Sequence, residues 1–318
     1  MLLRATSVLA AILLFAASAC SAQTLRTVEQ REKIFVAKTF KNARGETLLY
    51  RLFTPQNYDP KQKYPLVLYL HGGGGRGTDN IKQIDGGNGY LIDLFTSNET
   101  QSRYASFVVA PQSPMQEGWI ESDSITPTRQ LRLVFEMISE LQKSFSMDST
   151  RLYVAGQSMG GLGTFALISE YPKLFAAGVP LCGGGDESKA ARLVSTPIWA
   201  FHGAKDEAVP VTRTRNIVAA INKAGGKVKY TEYTDVDHVI WPKVVKETEL
   251  LPWLFSQHDT IEIETNSLTD SLATPRLFPN KDYGKSVVHP AFAHPLRMRD
   301  HRTRFLICNR CSDAITIS

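Results

Sequence analysis

The sequence predicts an α/β fold, a mostly parallel sheet with helices on both faces, entered through an antiparallel hairpin. Three observations predict it. The runs 65–70 (PLVLYL), 107–110 (FVVA), 152–155 (LYVA) and 198–201 (IWAF) are apolar throughout, as strands covered on both faces are. Stretches with helical spacing lie between them, and such alternation builds a parallel sheet. The pattern runs from residue 34 to residue 257 without a long linker, so one domain accounts for it.

Taken in order, residues 34–40 and 47–53 flank Asn42-Ala43-Arg44-Gly45, a turn-forming cluster, and make the hairpin. Residues 65–70 form the first buried strand, 86–95 a helix and 107–110 the next strand. Over 127–145, Leu131, Val134, Phe135, Ile138 and Leu141 share one helix face. Thr126 is the expected cap of that helix, with Pro127 at its first position, where a missing N–H costs nothing. Strand 152–155 leads into a helix over 159–171 closed by Pro172. Strands 176–181 and 198–201 follow. A helix over 211–224 ends at Gly225-Gly226, residues 228–233 alternate as a strand, and 241–255 is the final helix.

Composition agrees. The 318 residues are 43% hydrophobic and 21% charged, which excludes collagen-like, low-complexity and wholly disordered chains. The net charge of +5 comes without a Lys/Arg cluster before the C-terminal stretch, so no nucleic-acid partner is expected. Cys20, Cys182, Cys308 and Cys311 are too few for a disulfide scaffold.

The N-terminus has the shape of an export signal. Arg4 precedes an apolar run over 8–19 that is too short to span a bilayer comfortably, so no integral membrane span is expected. Small residues around Ala19 and Ala22 allow cleavage there, giving a signal peptide over residues 1–22. Ala17-Ser18-Ala19-Cys20 also resembles a weak lipobox, which would put a lipid anchor on Cys20. Either route exports the chain, to the periplasm, the medium or a membrane surface.

Residues 258–318 differ from the rest. They carry His258, His289, His294 and His301, a basic stretch over 297–304 and four interrupting prolines. A poorly ordered extension is expected there, with retention on an anionic surface as its binding alternative. Cys308 and Cys311 form a C-x-x-C without the second pair of a zinc site, so a local disulfide or two thiols is expected.

The chemistry concentrates in three segments, each placed after a strand. Gly156-Gln157-Ser158-Met159-Gly160 is G-x-S-x-G between strand LYVA and a helix. A turn that tight leaves no room for flanking side chains, strains the serine backbone and lifts its hydroxyl clear of the sheet. A serine needs a base to become a nucleophile. Where a strand-turn-helix presents the serine, acid and then histidine follow in chain order. Asp206 lies past strand 198–201, and His238 past strand 228–233. His202, before a glycine at a strand end, is read as fixing its loop, with the role of base as its alternative. Asp235, Asp237 and Glu207 are the rival acids. Strand 65–70 runs into His71-Gly72-Gly73-Gly74-Gly75, where bare backbone can approach a ligand. The N–H groups of Gly73 and Met159 are the candidate oxyanion donors. The run lacks the G-K-[ST] ending of a phosphate loop. Trp119 and Gln157 are the candidate substrate contacts, with aromatic packing the alternative for Trp119. No metal or cofactor is expected.

These stretches resemble the α/β-hydrolase superfamily. The similarity is nearest to bacterial secreted carboxylesterases akin to polyhydroxybutyrate depolymerases, feruloyl esterases and prolyl oligopeptidase catalytic domains. It is carried by YRLFTPQNYDPKQKYPLVLYLHGGGGRGTDN, RLYVAGQSMGGLGTFAL, PIWAFHGAKDEAVPV and KYTEYTDVDH, within residues 31–257. One departure is Asp237, where a glycine often precedes the histidine. The resemblance implies a catalytic domain over 31–257 with Ser158 as nucleophile, Asp206 as acid and His238 as base. It implies ester hydrolysis and is weak on substrate; no long insertion between strands forms a large lid, and so open a site suggests short or small aromatic acyl groups. Peptide hydrolysis, polyester depolymerisation and a non-enzymatic binding role on the same scaffold are the alternatives. It leaves the oligomeric state open.

Overall fold

The computed structural model describes residues 25–121 and 125–259. All of these belong to one compact unit that ends at residue 262. The expected signal peptide, Cys20, Cys308, Cys311 and all but the first two residues of the expected extension lie outside the described residues.

The strands are β1 (Val36–Lys41), β2 (Thr47–Phe53), β3 (Tyr64–Leu70), β4 (Phe107–Gln112), β5 (Met147–Gln157), β6 (Ala177–Leu181), β7 (Ile198–Gly203) and β8 (Val228–Tyr233). They form one sheet in the order β1-β2-β4-β3-β5-β6-β7-β8. β1 pairs antiparallel with β2, and β2 antiparallel with β4. From β4 across to β8 every pairing is parallel. The predicted class therefore holds, antiparallel entry included.

Period-two alternation explains how one sheet serves two cores. Leu66, Leu68 and Leu70 of β3 join Leu152, Val154 and Phe165 on one face. Val67 and Tyr69 join Tyr153, Ala155 and Phe201 on the other. Helices α4 (Arg129–Ser144) and α5 (Met159–Glu170) cover the first face. Helices α2 (Gly89–Thr96) and α8 (Leu250–Phe255) cover the second. β3 is buried along its whole length, which is why its sequence shows no alternation. Among the described residues, no helix is long and apolar enough to cross a membrane.

Local differences from the sequence reading have local causes. Ile34 does not begin a strand. It ends helix α1 (Val28–Ile34), which starts at a capping box in which Thr27 and Gln30 satisfy each other's backbone N–H. The short helix α3 (Asn98–Arg103) also follows α2. Helix α4 begins two residues later than expected. Thr128 is its cap, accepting from the Gln130 N–H at 3.2 Å and donating to the Gly118 carbonyl at 2.8 Å. Pro127 instead bridges to Ile120. Replacing Thr128 by alanine is expected to cost about 1 kcal/mol, read as a lower urea midpoint at unchanged slope. The expected final helix is two pieces, α7 (Trp241–Val244) and α8, separated by the polar residues 246–249.

The parallel strands bring their carboxyl ends to one edge. The glycine loop follows β3, Ser158 follows β5, Asp206 follows β7 and His238 follows β8. Strand order reverses around β3, with β4 on one side and β5 on the other. Ligands bind at such a switch point in open α/β sheets.

Candidate active site

Ser158 occupies the turn between β5 and α5. Its φ of 56° and ψ of −119° lie where a side-chain-bearing residue is strained. The turn is enforced by close backbone packing. A Cβ on Gly156 would strike the Gly160 carbonyl, and one on Gly160 would strike the Leu70 carbonyl. The Ser158 N–H donates to Leu181 O at 2.8 Å, tying the turn to β6.

His238 Nε2 lies 2.8 Å from Ser158 Oγ, and its Nδ1 lies 2.7 Å from Asp206 Oδ2. With the carboxylate facing Nδ1, that nitrogen carries the hydrogen and Nε2 is free to accept from the serine. Asp206 Oδ1 accepts from the N–H groups of Ala208 at 2.9 Å and Val209 at 2.8 Å. Burial pushes the Asp206 carboxyl up. Hydrogen bonds from His238 and the Val209 amide outweigh that and hold it below its ordinary value.

The rival residues sit elsewhere. Asp235 is exposed and pairs with Lys205. Asp237 accepts from the Val239 N–H in its own turn. Glu207 is exposed. His202 is buried behind Asp206, with no hydrogen bond to Ser158.

The loop after β3 turns as a short 3-10 segment, Gly73–Gly75. The Gly72 N–H donates to Asn88 Oδ1 at 3.0 Å, and that oxygen also accepts from Tyr69. His71 braces the loop from beneath. Its Nε2 accepts from the Ser113 N–H at 3.0 Å, so Nδ1 carries the hydrogen and donates to Gly72 O at 2.7 Å. No acceptor for the Gly73 or Met159 N–H is found among the described residues.

Burial pushes the His71 pKa down from 6.5 to about 4. The unfolded chain binds this proton below about 6.5, while the folded chain resists until about 4. Stability from this group is therefore complete above the upper value and is lost as pH falls towards the lower one. The loss is on the order of 3 kcal/mol. Urea midpoints taken across that window are expected to fall, and less steeply in His71→Asn.

The structure buries both residues expected from sequence as substrate contacts. Trp119 is fully buried. Its indole N–H donates to His71 O at 3.0 Å, and its ring packs 4.9 Å from the imidazole. It supports the glycine loop and presents no surface to a ligand. Gln157 is also buried, and its side-chain oxygen lacks a partner among the described residues. Its carbonyl and side chain lie close under Gly72, where an added Cβ would meet them at 3.4–3.6 Å.

The dienelactone hydrolase family model matches residues 52–243, which take in the glycine loop, Ser158, Asp206 and His238. The chain belongs to the dienelactone hydrolase family. It thus falls in the α/β-hydrolase superfamily that its motifs resemble. It is 29% identical over 171 residues to the bifunctional acetylxylan esterase/xylanase XynS20E of Neocallimastix patriciarum, covering 53% of this chain and 23% of that protein. It is 26% identical over 164 residues to the probable feruloyl esterase C of Aspergillus flavus, covering 48% and 57%. A solved thermostable esterase superposes with a TM-score of 0.67 at 39% identity, over 71% of this chain and 64% of that one. The chain thus spans less than two thirds of the length of each of these relatives.

In this member of the dienelactone hydrolase family, a cleft of about 830 Å³ opens beside Met159. Arg76, Gly118, Ile120, Leu162 and Arg213 contribute to its lining. Arg76 is held in place by the carbonyls of Gly73 at 3.2 Å and Met115 at 3.3 Å. On another side of the imidazole, Trp241 stands edge-on to His238 at 5.8 Å. Three further supports stand around the site, two of which escape a sequence reading. Asn88 grips Gly72 from a separate short turn. The Cys182 thiol donates to His238 O at 3.3 Å from a residue with φ of 47°. His202 approaches Asp206 from behind. Only His202 left a trace, its place four residues before the acid at a strand end.

Cys182, His202 and Asp206 each offer a ligand atom within 4.8 Å of the others, the one such group among the described residues. Burial and the Asp206 charge push the Cys182 thiol far up, so it stays protonated. The donor chemistry is that of a hydrogen-bonded cluster.

Proposed function

We propose that the protein is an exported serine esterase that hydrolyses carboxylic esters with short or small aromatic acyl groups. One observation carries this reading: the unbroken hydrogen-bonded chain Ser158–His238–Asp206 at the strained turn after β5. The family and its esterase relatives support ester chemistry. Export rests on the N-terminal signal pattern, with Cys20 as the lipid-bearing residue if the lipobox is used.

In the proposed reaction His238 Nε2 takes the Ser158 proton as Oγ attacks the acyl carbon. Asp206 stabilises the imidazolium and keeps the ring oriented. The amides of Gly73 and Met159 receive the oxyanion, and the dipole of α5 favours the charge there. His238 then passes its proton to the leaving alcohol. Water, deprotonated by the same ring, releases the acid and restores the serine. The charged cleft beside Met159 suits small acyl groups bearing polar substituents better than long alkyl chains.

The test is hydrolysis of p-nitrophenyl acetate, butyrate and octanoate, beside stoichiometric labelling by a fluorophosphonate. Turnover of the short esters, slower turnover of octanoate and a label on Ser158 are expected. A labelled protein that releases amine from peptide anilides but leaves esters intact would replace this reading with the peptidase one. An unlabelled protein inert to both would leave the scaffold a binding protein.

A further inference from the structure

Asp206 is held by more than the histidine it serves. Its side chain is fully buried, so water cannot complete its hydrogen bonding. A carboxylate offers about four lone-pair sites. Oδ1 fills two with the Ala208 and Val209 amides. Oδ2 takes His238 Nδ1 at 2.7 Å and also faces His202 Nε2 at 3.1 Å. His202 is itself fully buried and anchored on its far side, with Nδ1 2.7 Å from Thr214 Oγ1. Thr214 in turn lies 2.9 Å from Gly183 O, in the loop after β6.

His202 Nε2 faces two acceptors, Asp206 Oδ2 and Val209 O at 2.8 Å, so it carries a hydrogen. Burial holds the His202 pKa below its ordinary value, so the ring is neutral, and the single Thr214 hydroxyl hydrogen is shared between Nδ1 at 2.7 Å and Gly183 O at 2.9 Å. A neutral ring turns the Nε2 hydrogen that bonds Val209 O towards Asp206 Oδ2 as well, without adding a positive charge to compete with His238. The ionisable groups around this pair are Asp206, His238 and Asp237 from two loops, and Cys182 beyond β6. Glu232 of β8 stands opposite His202 in register and is paired with Arg215 of α6 (Thr212–Lys223).

We propose that His202 is a positioning residue for the esterase reaction, holding Asp206 Oδ2 towards His238 through a relay that runs back to Thr214 and the loop after β6. This rests on the esterase reading above. Without His202, Oδ2 keeps the His238 donor and loses the imidazole N–H that faces it at 3.1 Å. The carboxylate then swings more freely, and it draws the His238 proton more strongly.

The experiment compares His202→Leu, His202→Gln and Thr214→Val in the full chain, with folding followed by circular dichroism. In His202→Leu, kcat for p-nitrophenyl butyrate is expected to fall about tenfold, with KM within about twofold. The acidic limb of kcat/KM should move up by about half a pH unit. His202→Gln keeps a donor on a side chain of similar reach and should recover most of kcat. Thr214→Val should show the same changes at smaller amplitude. The downfield proton NMR signal of the His238–Asp206 hydrogen bond should shift in His202→Leu, a readout that survives if the protein proves not to be an esterase. A folded His202→Leu with wild-type kcat, pH profile and downfield signal overturns the proposal, as does a His202→Gln no better than His202→Leu. If His202→Leu does not fold, a Thr214→Val protein with unchanged kcat and pH profile overturns it.

Discussion

Ser158→Ala is expected to lower kcat for p-nitrophenyl butyrate by about 10⁴-fold or more, equivalent to roughly 5 kcal/mol of transition-state stabilisation. The size follows from what is removed. Without Oγ there is no acyl-enzyme, and water must attack the bound ester directly. The candidate oxyanion donors would remain, so the residual rate should still exceed the uncatalysed one. Stability should change by no more than about 1 kcal/mol. The Ser158 hydroxyl makes one hydrogen bond, to His238, and alanine carries the same backbone strain at φ 56°. A large loss of rate at an unchanged urea midpoint separates chemistry from folding. A variant within tenfold of wild type would mean that another group attacks the ester.

Asp206→Asn tests the acid by a different route. It leaves a side chain of the same shape but reverses the hydrogen bond to His238, favouring the wrong tautomer. The buried Oδ1 contacts to Ala208 and Val209 are kept. A fall in kcat of about 10³-fold or more is expected, with KM little changed. Equal losses in kcat and stability would instead point to collapse of the loop after β7.

The fold was legible where burial left a one-dimensional trace. Strands covered on both faces, such as β3, must be apolar throughout, and helix α4 must show one apolar stripe. Ser158, Asp206 and His238 were legible because a strand-turn-helix fixes where each stands relative to a strand end. The misplacements have a common cause. Thr126 and Thr128 offer the same capping hydroxyl to a one-dimensional reading. Only the contact of Thr128 with Gly118, ten residues away, decides between them. Trp119 reads equally as wall or as support until His71 O is seen to take its N–H. Cys182 acts on His238 from the loop after β6, across strands whose adjacency is a property of topology, whereas His202 stands four residues before Asp206 and its place there was visible.

Gly160→Ala is expected to lose on the order of 4 kcal/mol or to prevent folding altogether. Helix propensity predicts the opposite sign, a gain of up to about 1 kcal/mol for alanine in place of glycine. The structure decides between them. A Cβ at Gly160 would overlap the Leu70 carbonyl and approach His71 O at 2.9 Å. These are backbone atoms at the end of a strand paired on both sides, so no side chain can rotate away. Either β3 or the start of α5 must move. That junction also sets the spacing between the glycine loop and Met159, so any folded fraction should be catalytically impaired as well. Gly74→Ala is the control. It lies in the glycine loop after β3 with open space around it, and should change stability by no more than about 0.5 kcal/mol. Urea unfolding of the two variants side by side separates a close backbone crossing from a general need for glycine. Equal midpoints would mean that α5 is not pressed against the end of β3, and the geometry of the serine turn would need another source.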